Sequence, residues 1–187
     1  LESRVAAQGM ELCIDSRKAT PGCVFVALPG SSADGSQFIA DAVARGAGYV
    51  VCRPESAGNC GEAEVVDCAD PRQALGLLAR ARYGTASLPF PVVGVTGTNG
   101  KTSTVELVRQ LWRMAGHHAA SIGTLGVTTA DESVSTGLTT PDVVTFFANM
   151  TGLAREGVTH VAYEASSHGL SQFRNEGLRV RAGAFTN

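Results

Sequence analysis

Lys101 and Thr102 end the run Gly97-Thr98-Asn99-Gly100-Lys101-Thr102, which follows the apolar segment Val92–Thr96. Strand, glycine turn and helix start in that order make a site for phosphate. Glycines let backbone amides face an anion with no side chain in the way, and a helix start adds partial positive charge. A lysine there reaches β- and γ-phosphates, and the next hydroxyl suits Mg²⁺. A strict P-loop has a glycine five places before Gly100, where Val95 stands; Gly94 and Gly97 serve instead, so the loop is a variant. A plain glycine turn with a solvated lysine gives no reason for Lys-Thr at the helix start.

Three further stretches carry candidate chemistry. Glu164 ends the apolar run His160–Tyr163 and opens Glu164-Ala165-Ser166-Ser167-His168. In a parallel sheet the loops after the strands share one edge, which brings Glu164 toward the glycine loop, where a carboxylate suits Mg²⁺. A surface acid at a strand end is the equal alternative. Thr139-Thr140-Pro141 precedes a helix and offers hydroxyls and free amides to an anion, but on the residues alone an ordinary helix cap is the favoured reading. Gln172 and Arg174 follow; an arginine fork fits carboxylate or phosphate. His168 alone reads as a structural histidine.

These residues need a scaffold of alternating strands and helices. In the first half, Glu11–Ile14, Val24–Leu28, Tyr49–Cys52 and Val65–Val66 read as strands. Ser36–Arg45 reads as a helix burying Phe38, Ile39, Ala42 and Val43, and a second helix runs from Pro71, capped by Asp70, to Tyr83. Gly84–Pro91 breaks both periodicities and reads as a linker, giving expected domains at 1–87 and 88–187. In the second half a helix from Lys101 to Ala115 should face Val105, Val108, Leu111, Trp112 and Ala115 inward. His118–Ile122 and Ala182–Thr186 read as strands, Val127–Ser135 as a hairpin and Asp142–Glu156 as a helix. The expected class is α/β: a small first domain, then the first half of a P-loop-type ATPase domain with a covered parallel sheet.

Composition narrows the function. The 187 residues carry 15 Lys and Arg against 17 Asp and Glu, a net charge of −2. That lacks the basic excess of a nucleic-acid binder, and no apolar run reaches the roughly 18 residues of a membrane helix. The five cysteines, Cys13, Cys23, Cys52, Cys60 and Cys68, all precede residue 70 and include no C-x-x-C pair. They read as reduced, packed thiols of a cytoplasmic protein rather than a metal or disulfide set.

With its preceding strand, Gly97 to Thr102 resembles the nucleotide loop of the Mur ligase superfamily, which includes the cell-wall amino-acid ligases and folylpolyglutamate synthase. Asp15-Ser16-Arg17, Leu28-Pro29-Gly30, Ala33-Asp34-Gly35, Thr139-Thr140-Pro141 and Glu164 through Leu170 resemble the branch that adds the third residue of the peptide stem. That resemblance spans essentially the whole chain. It implies an ATP- and Mg²⁺-dependent ligase acting on UDP-N-acetylmuramoyl-L-alanyl-D-glutamate with diaminopimelate or lysine. It further implies that Gly97 to Ser103 bind ATP, with Lys101 catalytic and Thr102 and Glu164 on the metal. Ile14, Ser16, Ser31, Ser32, Ala33, Thr139, Thr140, Ser166, Gln172 and Arg174 would bind the UDP substrate. Ser31-Ser32, Leu138 and Ala165 depart from many relatives. The family continues beyond Asn187 into the rest of the ATPase domain and an amino-acid-binding domain, so the chain is expected to be a fragment unable to turn over by itself. The rivals are another amide ligase of the superfamily and a P-loop kinase.

Overall fold

The computed structural model describes residues 1–30, 34–130, 132–134 and 139–187. The expected substrate positions Ser31, Ser32 and Ala33 lie outside the described residues, as does Leu138. The chain forms two compact units, Leu1–Arg82 and Tyr83–Asn187. They divide five residues before the expected boundary at 87/88. The short 3₁₀ turn Thr85–Ser87 belongs with the second unit, where Thr85 is buried and Thr151 Oγ1 donates to the Tyr83 carbonyl at 3.0 Å.

In the first unit, β1 (Leu12–Cys13), β2 (Val24–Val26), β3 (Tyr49–Cys52) and β4 (Glu64–Asp67) form a parallel sheet in sequence order. Helices α1 (Glu2–Gln8), α2 (Ile39–Ala44) and α3 (Pro71–Tyr83) accompany it. Asp70 caps α3, accepting from the Arg72 amide at 2.9 Å, with Pro71 at the first helical position. α1 has one fully buried residue, Val5, which is too little periodicity to read in advance. Phe25, Ile39, Ala42 and Val50 share a core with Cys13, Cys23, Cys52 and Cys60. All five cysteines are free thiols, and burial pushes Cys52 up to about 11.

The expected helix over Ser36–Arg45 opens instead as a 3₁₀ turn, Gly35–Phe38, before α2. That change of pitch turns Phe38 out of the core to 44% exposure.

In the second unit a six-stranded sheet has the order β10-β5-β9-β6-β7-β8. The strands are β5 (Val92–Thr96), β6 (Ala119–Gly123), β7 (Gly126–Thr128), β8 (Ser133–Val134), β9 (His160–Glu164) and β10 (Ala182–Phe185). β10, β5, β9 and β6 run parallel, whereas β6, β7 and β8 pair antiparallel, so the sheet is mixed rather than wholly parallel. α4 (Lys101–Met114), α5 (Val143–Arg155) and α6 (Ser167–Ser171) complete the unit.

Side chains alternate along β9. Ala162 packs with Val95 and Val105 under α4, while Tyr163 meets Phe146 of α5 at a ring distance of 5.1 Å. Glu164 shares the parity of Ala162 and therefore comes up on the α4 side. α4 buries Val105 and packs Val108 and Trp112, but Leu111 and Ala115 are exposed, contrary to expectation. The position that joins Val105 inside is Arg109, 7% exposed, whose guanidinium pairs with Glu106 and donates to the Thr129 carbonyl at 3.1 Å. No described helix is long and apolar enough to cross a membrane.

Candidate nucleotide and acceptor site

β5 lies between β10 and β9, so the loop that leaves β5 is flanked by the carboxyl ends of both neighbours. The loop turns through Gly97 at φ +133° and Gly100 at φ +80°, both outside the range of ordinary L-residues. α4 starts at Lys101, so its first-turn amides face the loop mouth without helical partners. Lys101 Nζ folds back over the loop and donates to the Gly97 carbonyl at 2.8 Å and the Thr98 carbonyl at 3.2 Å. An anion at the mouth offers that ammonium oxygens of full charge in place of two carbonyls.

Glu164 is 2% exposed and is the hub of the site. Its Oε1 accepts from Thr102 Oγ1 at 3.0 Å and from the Thr124 amide at 2.7 Å; its Oε2 accepts from Thr124 Oγ1 at 3.3 Å. A Cβ at position 123 would overlap the Glu164 carboxylate, so glycine at the end of β6 makes room for it. A void of about 10 Å³ beside Thr102, Gly123 and Glu164 has room for roughly one water-sized particle. A carboxylate and a hydroxyl are hard oxygen donors of the kind Mg²⁺ takes, and they fit that ion.

One hydroxyl carries the network onward. Thr124 Oγ1 lies 3.1 Å from Thr139 Oγ1. Thr140, 2% exposed, donates its hydroxyl to the Glu164 carbonyl at 2.8 Å. Its single proton is thereby used, so the 3.0 Å contact with Ser166 Oγ runs from Ser166 to Thr140. Ser166 Oγ also caps α6, accepting from the Gly169 amide at 3.0 Å. Arg174 Nη1 donates to the Thr140 carbonyl at 2.6 Å, and its other nitrogens donate to Gln172 Oε1 at 3.1 and 2.8 Å. Phe173 between them takes φ +54°, a strained value for a non-glycine residue. Thr140, Ser166, Gln172 and Arg174 thus form one bonded cluster beside Glu164, and Thr139 is tied to Glu164 through Thr124. The Thr140 hydroxyl is fully occupied and the half-buried Thr139 is the more accessible threonine.

Behind the site, Glu106 on α4 accepts from Ser121 Oγ and from Arg109 at 2.8 Å. Burial pushes its carboxyl up, but Arg109 and Ser121 outweigh burial and hold it below the usual range.

In the first unit, Ile14 and Ser16 line a cavity of about 580 Å³ with Asp15, Arg17, Phe38 and Asp41. Ile14 and Phe38 offer apolar walls, 40% and 44% exposed. Asp15 Oδ1 and Oδ2 accept from Arg17 Nε and Nη2 at 2.9 and 2.7 Å, which holds the Asp15 carboxyl down at about 2. Ser16, itself 5% exposed, hydrogen-bonds Asp41. Apolar walls with polar edges suit a flat, hydrogen-bonding ring.

Sequence reasoning missed Thr124, Phe38 and Asp41. Thr124 follows the apolar run by one residue and only tertiary structure sets it beside Glu164. The change from 3₁₀ to α geometry that frees Phe38 leaves no mark on the apolar pattern. Among the described residues no three His, Cys, Asp or Glu side chains gather into a metal cluster.

Residues 11–83 match the family model for the Mur ligase family, catalytic domain, and residues 95–187 match that for the Mur ligase middle domain. A curated relative from Zymomonas mobilis subsp. mobilis, named UDP-N-acetylmuramoyl-L-alanyl-D-glutamate--2,6-diaminopimelate ligase, is 52% identical over 176 residues. That alignment covers 93% of this chain and 35% of the relative. A relative of the same name from Lawsonia intracellularis is 45% identical over 187 residues, covering 100% and 39%. The chain therefore spans little more than a third of the length of these relatives. A solved structure of a ligase with that name superposes with a TM-score of 0.80 at 31% identity, covering 95% of this chain and 36% of the other. MurF ligase from Thermotoga maritima in complex with ADP shares the fold at a TM-score of 0.52 and 22% identity, covering 85% and 32%. Two adjoining Mur ligase models, relatives near half identity and a superposable α/β fold agree: the chain belongs to the Mur ligase family.

Proposed function

We propose that this chain supplies the uridine-nucleotide unit and the opening part of the ATP-handling unit of an ATP-dependent acid–amino-acid ligase. The ligase adds 2,6-diaminopimelate to UDP-N-acetylmuramoyl-L-alanyl-D-glutamate, a step of cytoplasmic peptidoglycan precursor synthesis. The choice of diaminopimelate over lysine rests on the relatives' names.

In this reading the γ-phosphoryl group of ATP passes to the D-glutamate side-chain carboxylate, giving an acyl phosphate and ADP. The incoming amine attacks the acyl carbon, loses a proton and expels phosphate. The chain's own work is alignment and charge neutralisation. Lys101 exchanges its two loop carbonyls for phosphate oxygens. Thr102 and Glu164 hold Mg²⁺, which when bound offsets charge on the phosphates. Thr139, with the cluster that Ser166, Gln172 and Arg174 lock around Thr140, presents the acceptor carboxylate. Ile14, Ser16, Phe38 and Asp41 take the uridine end. Ser31, Ser32 and Ala33 belong to this proposal through the resemblance alone.

One observation carries the reading. Thr102, Glu164, Thr124 and Thr139 form an unbroken hydrogen-bonded path from the phosphate loop to the acceptor segment. A kinase of small alcohols has no use for such a path into a UDP-peptide cluster. The test is phosphate release by the intact protein with ATP, Mg²⁺, UDP-muramoyl dipeptide and diaminopimelate. Release should need all four, and Lys101→Ala should abolish it with little change in Tm. Release independent of the dipeptide, or a Lys101→Ala variant that keeps most activity, overturns the proposal.

A further inference from the structure

We propose that Thr186 and Asn187 are positioning residues that brace the first half of the phosphate loop, reserving the helix-start amides for nucleotide. The proposal deepens the ligase reading and rests on it. The two residues leave β10, which runs parallel to β5 with Phe185 opposite Thr96. The Thr186 amide continues that ladder, donating to the Thr96 carbonyl at 3.0 Å. Beyond it the strand's successor does something a sheet edge does not require. The single hydroxyl proton of Thr186 goes to the Asn99 carbonyl at 2.5 Å, while its Oγ1 lies 3.1 Å from the Thr96 carbonyl that the Thr186 amide already serves. Asn187 Oδ1 accepts from both the Thr98 amide, at 3.0 Å, and the Asn99 amide, at 2.8 Å. Two side chains thus satisfy two loop amides and the Asn99 carbonyl.

The close approach also explains a glycine. A Cβ on Gly97 would overlap the Thr186 hydroxyl, so the brace adds a second demand for glycine to that of its φ of +133°. Lys101 holds the same turn from the other side through the Gly97 and Thr98 carbonyls. When Lys101 turns to a phosphate, those carbonyls lose their donor, and the Thr186-Asn187 contacts remain to keep the turn in shape. A preformed cradle loses less freedom when an anion binds, so it spends less of its binding energy on ordering.

The same geometry has a rival meaning. The Asn187 oxygen could occupy a place that a phosphate oxygen needs, making it a plug. The two meanings predict opposite signs. A brace lost weakens nucleotide binding; a plug lost strengthens it.

The experiment uses the intact protein with Asn187→Ala, Thr186→Val and Thr186→Ser. Calorimetry with a non-hydrolysable ATP analogue gives affinity directly. Steady-state kinetics give KM for ATP and for the UDP-muramoyl dipeptide. The expected result is an affinity for the analogue about tenfold lower in Asn187→Ala and Thr186→Val, a KM for the dipeptide within about twofold, and little change in Tm. Thr186→Ser, which keeps the hydroxyl, should restore most of what Thr186→Val loses. Tighter analogue binding by Asn187→Ala overturns the brace in favour of the plug. Both KM values rising together with a fall in Tm overturns it in favour of plain structural support. Calorimetry reads the loop without any ligation, so a protein that binds the analogue but never ligates condemns the ligase reading and leaves the brace standing.

Discussion

Thr124 is the residue whose role is most open to a clean test. Its amide and hydroxyl serve opposite oxygens of Glu164, and the hydroxyl also meets Thr139. Thr124→Val keeps shape and amide and deletes only the hydroxyl. We expect kcat/KM for ligation to fall about tenfold, roughly 1.4 kcal/mol of transition-state stabilisation, with Tm almost unmoved because the residue is exposed. Steady-state kinetics with a parallel melt decide it; unchanged kcat/KM would remove Thr124 from the site. Residue identity alone could not have announced this. The glycine loop was legible because its residue types and spacing have few other uses, whereas Glu164 read equally as a surface acid until the sheet set it beside Thr102. Thr124 is one threonine among many until β6 and β9 pair and bring it to the carboxylate.

A second prediction at this scale concerns acid. His160 stacks between Trp112, 5.0 Å away, and His117, 4.0 Å away. Burial first, then the neighbouring imidazole of His117, hold His160 below the ordinary histidine value. A base with a lowered folded pKa favours its neutral form in the fold. Its contribution to stability is whole above the unfolded value near roughly 6.5 and is lost as pH falls through the lower folded value. Urea melts followed by Trp112, the single tryptophan, should give a lower midpoint at about pH 5 than at about pH 7.5, and His117→Gln should shrink the difference. A midpoint flat over that interval would contradict the stacking.

Among elements, the strands of the second unit were the easiest to read and their neighbours the hardest. β5, β9 and α5 follow the apolar pattern closely. Sheet order does not appear in periodicity at all, and the mixed edge formed by β7 and β8 follows from a short turn rather than from any strand's composition. α4 went astray at Leu111 and Ala115 because the buried stripe is closed by Arg109, whose charge is met by Glu106 and a carbonyl; an apolar template has no place for a paired arginine. Gly94 shows the reverse, a residue whose need is set by a neighbouring strand. It lies opposite Tyr163 in the β5–β9 ladder, and a Cβ there would come within 3.0 Å of the Tyr163 ring. Gly94→Ala should destabilise the fold by about 1–3 kcal/mol through overpacking, read as a lower urea midpoint. Gly152→Ala, in α5, meets nothing within 4 Å and serves as the contrasting substitution.

At the scale of the whole chain, the proposed reading assigns different ligands to the two compact units. The cavity of the first is lined wholly by its own residues. Expressed by itself, the 187-residue chain is therefore expected to bind UDP-muramoyl dipeptide measurably in calorimetry. It should release no phosphate, since the relatives devote well over half their length to what lies outside the matched region. Phosphate release dependent on both acceptor and amino acid would overturn this. Asp15→Ala should weaken the uridine interaction without touching nucleotide analogue binding, because it frees Arg17 from the cavity wall.

Glu164 has a thermodynamic consequence. Its carboxylate takes a hydrogen bond from Thr102 on the helix that follows the glycine loop, while its main-chain carbonyl takes one from Thr140. In the proposed reading nucleotide and acceptor are expected to be linked partners: by whatever factor a nucleotide tightens the acceptor, the acceptor must tighten the nucleotide. In that reading a single buried acid would be the place where the protein registers that both are present.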